Sequence, residues 1–209
     1  PCLSKSCVRG SNGFFPEFIP ALPTWLSPAV IILIFPGGFR ATCYYYRKAY
    51  YRSFWLSPPA CAVAEPHRRY TGETRFPPIF QNVHRYFFYA AVVVAAILTY
   101  DVVLAFHDPA GGVGMGLGTL ILLGNVVLIW AYTISCHSCR GIVGGRLNHF
   151  SRHPVRYWLW TQVSKLNARH QLLAWLSLLS VLIADLYVLL VSSGAISDPL
   201  PSRPFSPVT

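Results

Sequence analysis

Residues 118–134 read GTLILLGNVVLIWAYTI and are followed directly by SCHSC at 135–139. An uncharged apolar run of this length comes close to the roughly 20 residues that cross the hydrocarbon core of a bilayer. The run therefore predicts a membrane-spanning helix. Two cysteines and a histidine at the end of such a helix are unusual, and they raise four readings: a metal site, a haem site, a disulfide or a chance arrangement.

The composition of the 209-residue chain is that of a membrane protein, because 54% of its residues are hydrophobic and only 11% are charged. Soluble domains contain about 25% charged residues. Four apolar runs are each about long enough to cross a membrane, at about Trp25–Tyr46, Ile79–Phe106, Gly114–Ser135 and Val163–Ser192. The predicted fold class is all-α, an integral membrane helical bundle of about four transmembrane helices with interfacial segments.

The net charge of +10 follows from membrane topology, so no nucleic-acid partner is predicted. Fourteen of the seventeen Lys and Arg residues lie between Arg40 and Arg169, in two blocks flanked by apolar runs. The positive-inside rule then places the basic loops 47–78 and 136–162 in the cytoplasm. The predicted organisation is a far-side segment 1–23, a transmembrane bundle 24–195 and a Pro/Ser-rich tail 196–209.

The six cysteines fall into two groups. Cys2 and Cys7 lie in the far-side segment, where a disulfide between them is one reading. The other four face a reducing compartment, in which cysteine groups more often bind metal than form disulfides. These four are Cys43, Cys61, Cys136 and Cys139.

A short internal repeat relates the two halves of the chain. TCYYYR (42–47) and SCHSCR (135–140) share Cys-x-x-x-Arg, which aligns Cys43 with Cys136. The second and fourth spans open with His84 and His170. Spans one and three end on the side where spans two and four begin, so an antiparallel bundle brings these four residues to a similar depth.

Two thiols and two imidazoles at one depth leave several centres open. A structural zinc ion takes Cys₂His₂ ligands and would suit a non-redox scaffold or a transporter. A bis-His haem b would use His84 and His170 alone. A [2Fe–2S] cluster with two Cys on one iron and two His on the other uses all four residues. The reserve ligands are Cys139, Cys61 and His137.

Six stretches carry a family resemblance: CYYYRKAYYRSFW (43–55), SPPACAVAEP (57–66), QNVHRYFFY (81–89), SCHSCR (135–140), GGRLNHFSRHPVRYW (144–158) and SKLNARH (164–170). They resemble the haem-free membrane-anchor subunit of a bacterial complex II, a succinate dehydrogenase or fumarate reductase. The resemblance covers about residues 30–195. It departs at Gly141, where the family often reads CHSCRH, and this departure favours His84 and His170 as the imidazole ligands.

The resemblance implies a Rieske-type [2Fe–2S] cluster within the anchor, a nearby quinone, and an iron–sulfur subunit and a flavoprotein docked on the cytoplasmic face of the bacterial inner or plasma membrane. The chain would be an electron-transfer subunit that is not catalytic alone. It would pass electrons from the iron–sulfur subunit through the cluster to quinone. The expected ligands are Cys43, His84, Cys136 and His170. Polar and aromatic side chains at the level of the histidines are the quinone-binding candidates: Tyr45, Arg85, Tyr86, Trp160, Ser164 and Lys165.

Overall fold

The computed structural model describes residues 28–50, 79–108, 112–113, 115–145 and 147–197. The predicted segment 1–23, the Cys2–Cys7 pair, Cys61 and the tail beyond residue 197 lie outside the described residues. The elements in chain order are α1 (Pro28–Thr42), α2 (Tyr44–Tyr50), α3 (Ile79–Ala105), β1 (His107–Asp108), β2 (Gly112–Val113), α4 (Leu117–Ile134), α5 (His137–Gly144), a 3₁₀ turn (Phe150–Arg152), α6 (Pro154–Asn167) and α7 (His170–Ser192).

Three of the described helices, α3, α4 and α7, are long and apolar enough to cross a membrane. Large apolar side chains on their outer faces are exposed, as lipid-facing side chains are; examples are Val93 on α3 and Leu182 and Leu189 on α7. Because lipid provides no partner for backbone polar groups, a helix is the form in which such segments satisfy their own hydrogen bonds. The predicted all-α membrane fold is thereby confirmed.

The first predicted span, Trp25–Tyr46, differs from the structure because the chain forms two helices with a break at Cys43. The 15 residues of α1 extend roughly 22 Å at about 1.5 Å per residue. At the break the Cys43 amide donates to the Arg40 carbonyl, three residues back, at 3.0 Å. This tighter bond ends α1, and α2 starts at the next residue.

The predicted span Val163–Ser192 and the predicted loop 136–162 also need correction. The span begins at His170, because the chain turns at Ala168 and Arg169 between α6 and α7. Most of the loop is helical, in α5 and α6. Pro154 opens α6 at the first helical position, where its missing amide hydrogen leaves no intrahelical bond unmade.

The helices pack as two pairs, α1 on α3 and α4 on α7, and the pairs meet through α3 and α4. At Gly38 the two helices of the first pair come so close that an added Cβ would overlap the Phe87 ring. A two-residue antiparallel ladder between β1 and β2 connects α3 to α4. The buried core is concentrated where α1 and α4 end, and it contains Phe39, Cys43, Phe88, Ala91, Tyr132, Cys136 and Ala174.

Candidate metal centre at the helix ends

The four predicted ligands come together in two pairs within this core. Nε2 of His84 lies 3.1 Å from Sγ of Cys136, and Nε2 of His170 lies 3.6 Å from Sγ of Cys43. Each pair joins the histidine of one half of the chain to the cysteine of the other half. Cys43, Cys136 and His170 are each 1% exposed, so these side chains are almost fully buried.

The chain positions these side chains through its two helix breaks. Cys136 repeats the backbone pattern of Cys43: its amide donates to the Thr133 carbonyl, three residues back, at 3.2 Å. Its carbonyl then accepts from the Arg140 amide at 3.0 Å, as the Cys43 carbonyl accepts from the Arg47 amide at 2.8 Å. The Cys-x-x-x-Arg repeat of the sequence is therefore a repeated turn that presents a thiol at the end of a helix.

A hydroxyl group holds the second nitrogen of each imidazole. Thr42 Oγ1 lies 2.9 Å from Nδ1 of His84, and Ser135 Oγ lies 2.7 Å from Nδ1 of His170. Each hydroxyl belongs to the residue directly before a cysteine ligand candidate. Each imidazole is therefore held at Nδ1 by a hydroxyl group, and its Nε2 is directed at a thiol.

The same hydroxyls determine which nitrogen carries the proton. Thr42 donates its single proton to the Gly38 carbonyl at 2.7 Å, and Ser135 donates its proton to the Tyr132 carbonyl at 2.8 Å. Each Nδ1–H must then donate to the hydroxyl oxygen, which leaves Nε2 with its lone pair. This tautomer, with Nδ1–H hydrogen-bonded and Nε2 free, is the one that metal-binding imidazoles use.

An aromatic ring lies parallel to each imidazole. Phe39 stacks on His84 with ring centroids 4.8 Å apart, and Tyr132 stacks on His170 with centroids 5.1 Å apart; the interplanar angle is 5° in both pairs. Phe39 and Tyr132 each precede the cysteine of their own half by four residues. The stacking fixes the ring planes, while the hydroxyls fix the rotation within each plane.

The thiol of Cys136 is neutral at physiological pH. Burial is the main reason why the pKa of Cys136 is raised to about 11, and the nearby Cys43 raises it further, although the Ser138 amide opposes both effects. A bound cation would remove this penalty, because cysteine binds metal as the thiolate. Thiolates and imidazole nitrogens are ligand atoms of the kinds that bind transition metals.

The four ligand candidates form two Cys–His pairs, and not one compact group of four. Within residues 28–50, 79–108, 112–113, 115–145 and 147–197, no three His, Cys, Asp or Glu side chains lie close enough together to hold one metal ion. Of the reserve ligands, Cys139 packs beside the core, and burial raises its pKa. His137 approaches His170 edge-on, with centroids 6.0 Å apart, and burial and Arg140 lower its pKa.

A cleft of about 980 Å³ opens beside the centre. Cys43, His84 and His170 reach its wall, together with the quinone candidates Tyr45, Arg85 and Tyr86 and with His137. The other three quinone candidates lie elsewhere, at the contact of α5 with α6. There Arg140 stacks over Trp160 at 5.1 Å and donates to Ser164 at 3.0 Å, while Lys165 donates to Gln162.

Sequence reasoning missed the residues that orient the imidazoles, although the repeat contains a signal for them. Aligning Cys43 with Cys136 also aligns Thr42 with Ser135, and Phe39 with Tyr132. A hydroxyl one residue before each cysteine and an aromatic residue four before it are thus repeated features. The signal becomes specific only when the structure shows both pairs against histidines.

The chain is similar to known succinate dehydrogenase proteins. A family model for the actinobacterial succinate dehydrogenase subunit SdhC matches residues 1–194. In the solved structure of the Mycobacterium smegmatis Sdh1 complex in the apo form, one chain is 61% identical to this chain, with a TM-score of 0.80; the match covers 95% of this chain and 74% of that chain. A search of curated proteins gives no match. The chain belongs to the family of actinobacterial succinate dehydrogenase subunits SdhC.

Proposed function

We propose that this chain is the membrane-anchor and electron-transfer subunit of a succinate:quinone oxidoreductase, with an iron–sulfur subunit and a flavoprotein subunit as partners. The match to the SdhC family and the similarity to a chain of the Sdh1 complex support this role. The chain alone is not the catalyst of succinate oxidation in this proposal. Its own tasks are to hold a redox centre and to bind quinone in the membrane.

The proposed centre is a Rieske-type [2Fe–2S] cluster with Cys43, His84, Cys136 and His170 as ligands, which when bound would carry single electrons from the iron–sulfur subunit to quinone. The observation that carries this assignment is the hydrogen bonding of both histidines, from which their tautomer is inferred. Thr42 and Ser135 keep a proton on each Nδ1, and each Nε2 lone pair faces a thiol. Histidine ligation raises the potential of such centres above that of all-cysteine clusters.

Four ligand candidates that do not converge on one point favour a binuclear centre. In a Rieske-type cluster the two thiols would bind one iron and the two imidazoles the other, so each Cys–His contact would join ligands of different irons. A single zinc ion needs its four ligands around one point, whereas no three such side chains converge within the described residues. A bis-His haem b would place both Nε2 atoms against a porphyrin. Here each Nε2 faces a cysteine of the opposite half.

We also propose that the cleft beside the centre binds the quinone headgroup. Arg85 and Tyr86 supply hydrogen-bond donors for its carbonyl oxygens, and Tyr45 covers one side of the cleft near His170, with ring centroids 5.6 Å apart. The exposed apolar faces of the helices leave room in lipid for the isoprenoid tail. Trp160, Ser164 and Lys165 lie outside this cleft, so they have no direct role in this part of the proposal.

The centre lies where α1 and α4 end and where α3 and α7 begin. The basic residues of the chain flank the same ends. By the positive-inside rule, these residues would lie on the cytoplasmic side of a bacterial cell membrane. The partner subunits would dock on this face. Segments 1–23 and 196–209 would lie on the far side, with the bundle 24–195 between the two faces.

The assignment is tested with the double variant His84→Ala and His170→Ala in the purified complex. We expect the loss of about two iron atoms per complex and of broad visible absorption, while succinate oxidation with a soluble dye persists in the partner subunits. His137→Ala is the matched control and should retain the iron. Loss of zinc instead, or of a sharp Soret band, would assign the centre to zinc or to haem b. Unchanged metal content and spectrum would show that these histidines are not ligands.

A further inference from the structure

Arg40 brings a positive charge into the bundle close to the metal centre. It lies on α1, three residues before Cys43, and its Nη1 donates to the Tyr46 hydroxyl at 2.9 Å, the Ser177 hydroxyl at 3.1 Å and the Ala174 carbonyl at 3.3 Å. All three partners are uncharged. They hold the guanidinium in place, and no described residue supplies an opposite charge to it.

No carboxylate of the described residues pairs with this guanidinium, whose partners are two hydroxyl groups and a backbone carbonyl. On α7, Asp185 lies eight residues beyond Ser177, which at about 1.5 Å per residue is roughly 12 Å along the helix axis. On α3, Asp101 follows His84 by seventeen residues. A cation inside a membrane protein is costly unless it meets an opposite charge or serves a function.

Arg40 is connected to the centre through a single side chain, Tyr132. Its guanidinium carbon lies 4.9 Å from the centroid of the Tyr132 ring, and the same ring stacks on His170 at 5.1 Å. Tyr132 itself is 2% exposed, so water does not screen this side of the centre. The charge is therefore separated from a proposed ligand by one aromatic ring.

We propose that Arg40 is a positioning residue for the redox chemistry of this site, whose positive charge raises the reduction potential of the centre held by Cys43, His84, Cys136 and His170. The inference rests on the proposed function. When one electron from the iron–sulfur subunit enters the centre, no bond forms or breaks and the local charge becomes more negative by one unit. A nearby cation stabilises this reduced form more than the oxidised form.

The magnitude of the effect follows from Coulomb's law. Two unit charges about 10 Å apart at an effective dielectric constant of about 20 shift an equilibrium roughly tenfold. For a one-electron couple, a tenfold change corresponds to about 59 mV. An effect of this size is measurable in a redox titration.

The direct test is Arg40→Gln in the purified complex, with the midpoint potential of the centre followed by EPR during a redox titration. The potential should fall by about 59 mV, whereas Arg40→Lys, which keeps the charge, should stay closer to the wild-type value. Arg152→Gln is the matched control because it removes an equal charge from an exposed position outside the membrane helices. Its potential should equal that of the wild type.

A second pair of variants keeps Arg40 and changes its neighbour. Ser177→Asp places a carboxylate beside the guanidinium and should lower the potential as Arg40→Gln does. Ser177→Asn is similar in size but uncharged and should leave the potential near the wild-type value. This pair decides the question if Arg40→Gln prevents assembly of the complex.

The outcomes separate the two proposals. If the wild-type complex has no such centre by iron content and EPR, the proposed function and this inference both fail. If the centre is present and neither Arg40→Gln nor Ser177→Asp lowers its potential, only the role of Arg40 is refuted. An equal fall in the Arg152→Gln control would also refute it, because the effect would then come from net charge alone.

Discussion

The Ser135 hydroxyl lies 2.7 Å from Nδ1 of His170 and donates its own proton to a backbone carbonyl. It therefore accepts the Nδ1 proton and leaves Nε2 as the ligand atom. Thr42 does the same for His84. Two hydroxyl residues that are not ligand candidates thus determine the tautomer in which both histidines would bind a metal.

Removing either hydroxyl should weaken the centre while leaving the ligands in place. We expect Thr42→Val or Ser135→Ala to lower metal affinity by about 10–100-fold, which is the usual cost of losing a partner that orients a ligand. Thr42→Ser keeps the hydroxyl and is the control. Iron content per purified complex is the measurement, and full iron occupancy in Thr42→Val after treatment with a chelator would contradict the proposed orientation.

Hydropathy predicted the ends of the long helices well at the points where the hydropathy of the sequence changes sharply. The predicted span Ile79–Phe106 and the helix Ile79–Ala105 agree closely at both ends, because Pro77 and Pro78 precede Ile79 and the HDPAGG turn follows the apolar run. The helix breaks at Cys43 and at Ala168 could not be predicted from hydropathy. No proline or glycine lies at either break, and both result from hydrogen bonding in the folded chain.

The ligand candidates could be predicted from depth alone, since helix direction places Cys43, His84, Cys136 and His170 at one end of the bundle. The crossed pairing of each histidine with the cysteine of the other half could not be predicted. It depends on how far each helix is rotated about its axis, and tertiary packing sets that rotation. The sequence identifies Arg40 only as a member of a basic block, because its neutral partners come from α2 and α7.

The close approach of α1 and α3 predicts a steric effect at Gly38. A methyl group there would overlap the Phe87 ring, so Gly38→Ala should destabilise the protein by about 1–3 kcal/mol through overpacking. Gly37→Ala is the matched control, because its added Cβ would meet only Leu33, at 3.9 Å. Thermal unfolding of the two variants in detergent should show a lower midpoint for Gly38→Ala alone. Equal midpoints would mean that the helices can separate without cost.

The cleft predicts which of the quinone candidates affect quinone reduction. Arg85→Gln and Tyr86→Phe should raise the KM for quinone several-fold, because each removes a charge or a hydrogen-bond donor from the cleft wall, worth about 1–2 kcal/mol. Ser164→Ala should not, because Ser164 accepts from Arg140 outside the cleft. Steady-state quinone reductase kinetics, with iron content checked, provide the measurement. A larger effect from Ser164→Ala would move the proposed quinone site to the contact of α5 with α6.

The sidedness of the bundle can be decided by labelling two exposed serines at its opposite ends. Ser151 lies in the 3₁₀ turn between α5 and α6, among basic residues, and Ser193 caps the end of α7. Both are exposed. The excess of Lys and Arg around Ser151 predicts that its end faces the cytoplasm, since positively charged loops are retained on that side.

A membrane-impermeant maleimide should therefore label Ser193→Cys in intact cells and Ser151→Cys only after lysis. The unsubstituted chain is the control for its native cysteines, of which Cys43 and Cys136 are buried and Cys139 is partly buried. If Ser151→Cys is labelled in intact cells and Ser193→Cys is not, the orientation is inverted. The centre and its cleft would then face the outer side of the membrane. Subunits that oxidise succinate in the cytoplasm could not reach them there.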